Sequence, residues 1–225
     1  MQLDNLTLAD DGAQLFRAAL SRDQLKRLEA VLSHLPHDRA GLRLRGVAGL
    51  APVLASTGEM GRYAASVLGA GCQPVRAILF DKTPETNWVV NWHQDRTIAV
   101  KQRIAVAGFE TWSVKNGMAH VEPPFELLSG MVTLRLHFDP VPTNNAPLLI
   151  APGSHKLGRV AEDNIREVVR RCGTVACLAE PGDIWLYASP ILHASEIAAA
   201  PTHRRVLHVD FSAGQLPGGL EWLGI

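Results

Sequence analysis

Hydrophobic residues recur along this chain with two periods. Near the N-terminus the period is helical: Leu25, Leu28, Val31, Leu32 and Leu35 fall three and four apart, which puts them on one face of a helix. Ser21 precedes them and Gln24 lies three residues further on, the signature of a capping box. The spacing therefore predicts an amphipathic helix over 21–35. Two shorter helices are expected over 59–68, closed by Gly69, and over 164–171, closed by Gly173. Elsewhere the period is two. Between 131 and 139, Val132, Leu134, Leu136 and Phe138 alternate with Thr133, Arg135, His137 and Asp139, so one face of a strand is apolar and the other polar. Strands are also expected over 75–80, 88–95, 183–187 and 204–211.

Pro, Gly and Asn cluster between these runs, at 140–147 and 151–154, where they punctuate the chain. Short strands at irregular spacing, with helices mostly at the front, predict a mainly β fold with flanking helices, a sandwich or jelly roll. A single domain over 1–225 is expected, with a helical region over about 1–70 buttressing a β core over about 75–212. The stretch 96–124 is the least regular and carries Trp112, Lys115 and His120. A long connection of this kind reads as a lid or a substrate-binding insertion. Leu220, Trp222, Leu223 and Ile225 form an apolar tail, expected to pack on the barrel of its own chain rather than on a second subunit.

Composition narrows the classes. The 225 residues suit one domain. Lys plus Arg and Asp plus Glu both number 22, so bulk charge does not point to a nucleic-acid partner. The three cysteines, Cys72, Cys172 and Cys177, form no CxxC pair, which argues against a disulfide framework or a thiolate zinc site. No leader or membrane span is expected, so the reading is a cytoplasmic protein, monomeric or homodimeric, that acts on a small molecule. GxSxG, GxxxxGK[ST] and HExxH are all missing, which removes three other catalytic classes.

The chemistry lies in Trp92-His93-Gln94-Asp95, read with His193 and Arg204. On a strand, His93 and Asp95 would point to one face. With a second histidine from a distant strand they would make a 2-His-1-carboxylate triad, the arrangement of non-haem Fe(II) oxygenases. The apolar run Trp88, Val89, Val90 and Trp92 suggests a buried strand end, and His193 sits in another strand-like segment, 191–195. Arg204, Val206 and His208 share a face, opposite Leu207, Val209 and Phe211. Arg204 is thus directed into a cavity, where a guanidinium matches a carboxylate bidentately. Its neighbour Arg205 takes the other face. Arg135 and His137 are candidate substrate contacts if the polar face of their strand lines the cavity, and Trp112 and Lys115 are candidates from the insertion. His155 reads as shaping a turn. His34, His37 and His203 read as exposed histidines, and Arg166, Glu167, Arg170 and Arg171 as a solvated helix face.

These residues resemble the phytanoyl-CoA dioxygenase-like family of Fe(II)/2-oxoglutarate oxygenases. The likeness rests on His-x-Asp, on the segment from Asn145-Ala-Pro-Leu through Pro152-Gly-Ser-His-Lys, on His193-x-Ser195, and on an Arg eleven residues after that His. It runs from about Val75 to Phe211. It implies a double-stranded β-helix, the jelly-roll variant of cupin-like proteins, with His93, Asp95 and His193 as iron ligands. It implies Arg204 and Ser195 as holders of the distal carboxylate of 2-oxoglutarate, with O2 as the other co-substrate. Thr133 falls near a position where ectoine-hydroxylase-like members carry a hydroxyl that contacts the co-substrate. Relatives that halogenate replace the carboxylate ligand with a small residue, so Asp95 implies hydroxylation or another oxidation. Two other readings remain open at this point: a metal enzyme of the same barrel that does not use 2-oxoglutarate, and a non-catalytic ligand-binding module.

Overall fold

The alternating stretch over 131–139 becomes an interior strand of a six-stranded sheet. The computed structural model of the chain describes residues 3–36 and 39–225. His37 lies outside the described residues. In chain order the strands are β1 (Ala13–Phe16), β2 (Gly41–Leu44), β3 (Gln73–Lys82), β4 (Val90–His93), β5 (Ile98–Val100), β6 (Glu110–Lys115) and β7 (Met118–Glu122), then β8 (Met131–His137), β9 (Leu148–Ile150), β10 (Val175–Cys177), β11 (Ile184–Ala188), β12 (His193–Ser195) and β13 (Arg204–Ser212). The helices are α1 (Leu8–Asp11), α2 (Arg22–Leu32), α3 (Leu50–Leu54), α4 (Gly61–Leu68), α5 (Phe125–Ser129) and α6 (Ile165–Cys172). The large sheet runs β1-β11-β8-β13-β3-β2, and a four-stranded sheet runs β10-β9-β12-β4. Both are antiparallel throughout. This is the mainly β, jelly-roll architecture that the pattern predicts.

The two periods explain the layers. Leu134 and Leu136 of β8, Ile184 and Leu186 of β11, and Leu207, Val209 and Phe211 of β13 share one core with Leu25, Leu28 and Leu32 of α2. The helices thus cover the outer face of the large sheet. Each buried leucine there contributes about 1.5–3 kcal/mol. The capping box is present: the Gln24 amide donates to Ser21 Oγ at 3.3 Å, and the Ser21 amide donates to Gln24 Oε1 at 2.8 Å. The helix stops at Leu32, short of the predicted 35, yet Leu35 still packs on the same core. On the inner side, Trp185 and Tyr187 of β11 meet Leu148, Ile150, Val175 and Cys177 of the smaller sheet. The turn into β11 needs its glycine: Gly182 has φ 93°, and a Cβ there would lie 2.4 Å from the Leu20 carbonyl.

Three expectations require correction. The N-terminal region is not purely helical, because β1 and β2 form the two edges of the large sheet. At four residues each, they are too short to show a period. The strand expected over 88–95 is only β4, an edge strand that ends at His93. Val89 is 53% exposed, so the apolar run does not mark a buried strand end. The stretch 96–124 is not irregular: β5, β7 and β6 form a three-stranded antiparallel sheet. A bulge between Glu110 and Ser113, with Thr111 at φ 51°, breaks the alternation that would have revealed it.

Val100 and Val121 of that sheet pack with Val75, Met131, Leu220 and Trp222. The Lys101 amide donates to the Glu221 carbonyl at 3.0 Å. The apolar tail therefore packs on its own chain, as expected, and fastens the insertion to the barrel. Among the described residues no helix is long and apolar enough to cross a membrane.

Candidate metal centre and co-substrate pocket

His93 ends β4 and His193 begins β12, and the two strands pair with these histidines opposite each other. Their ring centroids lie 4.3 Å apart. Ligand atoms of His93, Asp95 and His193 all fall within 4.8 Å of one another. Asp95 does not share a strand face with His93; it lies in the loop beyond β4. Gln94, between them, is buried and shapes that loop. Its Nε2 donates to the carbonyls of Pro190 at 2.7 Å and Gly158 at 3.0 Å, and its Oε1 accepts from the Val160 amide at 2.9 Å.

Backbone carbonyls decide the tautomers. His93 Nδ1 lies 2.8 Å from the Asn91 carbonyl, and His193 Nδ1 lies 2.9 Å from the Ile191 carbonyl. A carbonyl only accepts, so each Nδ1 carries a proton and Nε2 is the ring atom left to bind a metal. Burial holds His193 below the usual histidine range, so it is neutral. Burial would raise the Asp95 pKa, but the Arg76 guanidinium outweighs it and keeps the carboxylate ionised. Two imidazoles and one carboxylate suit Fe(II) and leave further positions for other ligands.

A second layer orients the carboxylate. Arg76 of β3 lies 3.4 Å from Asp95 and also ion-pairs with Asp210 of β13. Asp210 accepts from Thr133 at 2.9 Å and lies 3.1 Å from His208 Nε2. Strand register aligns this row: Asp210 is opposite Arg76 on one side and Thr133 on the other. Arg76 and Asp210 were not among the residues singled out from sequence, yet Arg76, Ile78, Phe80 and Lys82 alternate along β3 as Arg204, Val206 and His208 do along β13.

A cavity of about 230 Å³ opens beside the triad, lined by His93, Asp95, His193, Ser195, Arg204 and Arg135 among others. At one end Arg204 is 3% exposed, with Nη1 against the Ala146 carbonyl and 3.5 Å from Ser195 Oγ. Its Nε has no partner among the described residues. Burial, then the Arg135 guanidinium, pulls its pKa below the ordinary arginine range. Ala146 holds φ 48°, a strained conformation for a non-glycine residue, and its carbonyl also accepts from Ser195 at 3.3 Å. Arg205 turns to the opposite face, where it pairs with Asp139 at 2.6 Å and Glu29 at 2.9 Å.

The sequence profile of the phytanoyl-CoA dioxygenase (PhyH) family matches residues 53–206. This chain belongs to that family. It is therefore a non-haem iron and 2-oxoglutarate-dependent oxygenase, an enzyme. No curated protein matches the chain by sequence. Among solved structures it is similar to EctD from S. alaskensis, determined with 2-oxoglutarate and 5-hydroxyectoine. The two are 19% identical with a TM-score of 0.68, over 97% of this chain and 77% of EctD. It is also similar to AviO1 from Streptomyces viridochromogenes, at 19% identity and a TM-score of 0.63 over 94% of each chain. A third is HygX from Streptomyces hygroscopicus, determined with nickel and 2-oxoglutarate, at 11% identity and a TM-score of 0.62 over 91% of this chain and 84% of HygX. At these identities the likeness is one of fold.

The remaining sequence candidates of this oxygenase divide by place. Arg135 and Lys115 reach the cavity. Thr133 is fully buried behind it, bonded to Asp210 and 3.3 Å from Ser189 Oγ. His137 is buried, with no partner for either ring nitrogen among the described residues, and does not line the cavity. Trp112 packs with the insertion core beneath Arg103, 5.5 Å from its ring centroid. His155 lies against Gly12, and His203 pairs with Asp81 at 3.0 Å.

Two further residues went unremarked in the sequence. Lys82, wholly buried, donates to the carbonyls of Trp88 at 2.7 Å and Glu196 at 2.8 Å, and to Ser195 Oγ at 3.3 Å. Ser154, in the Pro-Gly-Ser-His-Lys segment, accepts from the Leu192 amide at 2.9 Å and so braces the residue before His193. The motif itself was the signal for Ser154. For Lys82 the signal was its place in the β3 alternation.

Proposed function

We propose that this oxygenase hydroxylates a small molecule, holding iron through His93, Asp95 and His193 and the distal carboxylate of 2-oxoglutarate through Arg204 and Ser195. The observation that carries this reading is the buried Arg204 guanidinium, with a free Nε, in a cavity whose wall also presents two imidazole Nε2 atoms and a carboxylate. A buried guanidinium with an unused donor is costly unless an anion completes it. EctD and HygX, of the same fold, have both been determined with 2-oxoglutarate.

Bound iron with 2-oxoglutarate supplies an oxidant for an unactivated C–H bond, with succinate and CO2 as products. The chain's own residues position and shield. Asn91 and Ile191 carbonyls hold the imidazoles, Arg76 holds Asp95 ionised, and the buried Tyr187 ring packs 5.9 Å from that of His193. Arg135 adds positive charge beside Arg204, and Thr133 acts through Asp210 rather than on the co-substrate. Retention of a carboxylate at Asp95 favours hydroxylation over halogenation. The domain is taken as one unit over 1–225, acting in the cytoplasm as a monomer or homodimer, and the 96–124 sheet serves as a fixed substrate-binding wall rather than a moving lid.

The test is anaerobic titration of Fe(II)-loaded protein with 2-oxoglutarate, following the visible metal-to-ligand charge-transfer band. The band should form in wild type, weaken at least tenfold in apparent affinity in Arg204→Ala, and vanish in Asp95→Ala. A band of undiminished affinity in Arg204→Ala would move the co-substrate elsewhere. Bound iron without any band would favour an enzyme of this barrel that does not use 2-oxoglutarate.

A further inference from the structure

The cavity carries more positive charge than iron and 2-oxoglutarate use. Arg43, Arg76, Lys115, Arg135 and Arg204 all line it, against the single lining carboxylate of Asp95. The cations form two groups. Lys82, Arg135 and Arg204 repel one another at one end. Arg43, Arg76 and Lys115 repel one another at the other, where Lys115 also feels Asp95. Arg76 is neutralised there by Asp95 and Asp210. Arg43 and Lys115 are not: neither makes an ion pair with any described residue. Among the described residues, Arg43 Nε is buried without a hydrogen-bond partner, and the Lys115 ammonium has only Thr97 Oγ1 at 3.5 Å.

Their placement is built by the fold. Arg43 on β2 lies opposite Ile78 of β3, so it extends inward the row that continues through His208 and Arg135. Lys115 ends β6 and reaches the same cavity from the insertion, and it also lines the mouth with His93 and Asp95. The mouth has its own acid, Glu162, but that residue is paired with Arg96 at 3.5 Å. Two cations from unconnected elements thus line one cavity with the triad, and neither is paired with an acid among the described residues.

We propose that Arg43 and Lys115 bind an oxyanion of the substrate, a carboxylate or a phosphate, and hold its reactive carbon over the His93, Asp95 and His193 centre. The proposal rests on the function given above, and names the substrate class of that site. A guanidinium fork and an ammonium at one end of the cavity suit such a group.

The test uses isothermal titration calorimetry on the metal-free protein with three probes: 3-phenylpropanoate, phenyl phosphate and the neutral 3-phenylpropanamide. At least one anion should bind wild type and the amide should not, and the stronger anion tells carboxylate from phosphate. Arg43→Gln and Lys115→Gln should each weaken that anion at least tenfold, while Arg204→Ala should change it less than threefold. Both glutamine variants should keep the wild-type affinity for 2-oxoglutarate in the charge-transfer titration. The proposal is overturned if no anion binds, if binding survives both glutamine variants, or if it follows Arg204 instead. Loss of 2-oxoglutarate affinity in the glutamine variants would also overturn it. A missing charge-transfer band in wild type would count against the oxygenase reading alone, because the calorimetry needs no iron.

Discussion

Lys82 shows at the scale of one residue what burial does to a charge. It is wholly buried, and burial, followed by Arg204 and Arg135, pulls its pKa from 10.5 to about 8. The folded state therefore releases the proton earlier than the unfolded state does. Between about pH 8 and 10.5 the unfolded chain binds more protons, so the stability that depends on Lys82 rises with pH across that window. Below pH 8 the whole cost of burying the charge is present. Lys82→Met removes this dependence. Wild type should therefore gain melting temperature relative to the variant between pH 7.5 and 9.5, measured by thermal unfolding. A wild type that loses melting temperature relative to the variant over that window would mean that Lys82 is stabilised as a cation by its three acceptors.

At the scale of elements, the loop after β4 matters more than the strand. His93 and Asp95 converge because Gln94 ties their loop to the segments at Gly158, Val160 and Pro190, not because a strand alternates. Gln94→Ala should leave the imidazoles in place yet loosen the carboxylate. Metal affinity, read by titration with Co(II), is expected to fall about 10–100-fold, the usual effect of removing outer support. An unchanged affinity would show that Arg76 alone orients Asp95. The His-x-Asp spacing was legible, but the reason for its geometry was not, because a glutamine's partners 64 and 96 residues away leave no local pattern.

At the scale of the whole molecule, the insertion and the tail stabilise each other. Trp222 is 8% exposed, packs against the β5–β7–β6 sheet and donates to the Gly214 carbonyl at 2.9 Å. Trp222→Ala should cost about 3–5 kcal/mol, as large-to-small changes of buried aromatics do. In limited proteolysis the variant should be cut within 96–124 faster than wild type. In wild type, Fe(II) with 2-oxoglutarate should leave cleavage there unchanged if the sheet is a fixed wall. Strong protection by those ligands would restore the lid.

The sequence by itself determined the two layers and the reactive groups. Helical spacing over 25–35 and strict alternation over 131–139 and 204–211 are local consequences of side-chain geometry, and they already separate outer core from inner cavity. His93, Asp95, His193 and Arg204 were visible because their residue types and spacings suit a metal and an anion. Tertiary structure decided which other polar groups join them. Net charge is zero over the chain, yet strand pairing across large sequence separations gathers Arg43, Arg76, Lys82, Arg135 and Arg204 between the sheets. No local period reports that gathering, because register is set by the packing of both faces of the large sheet at once.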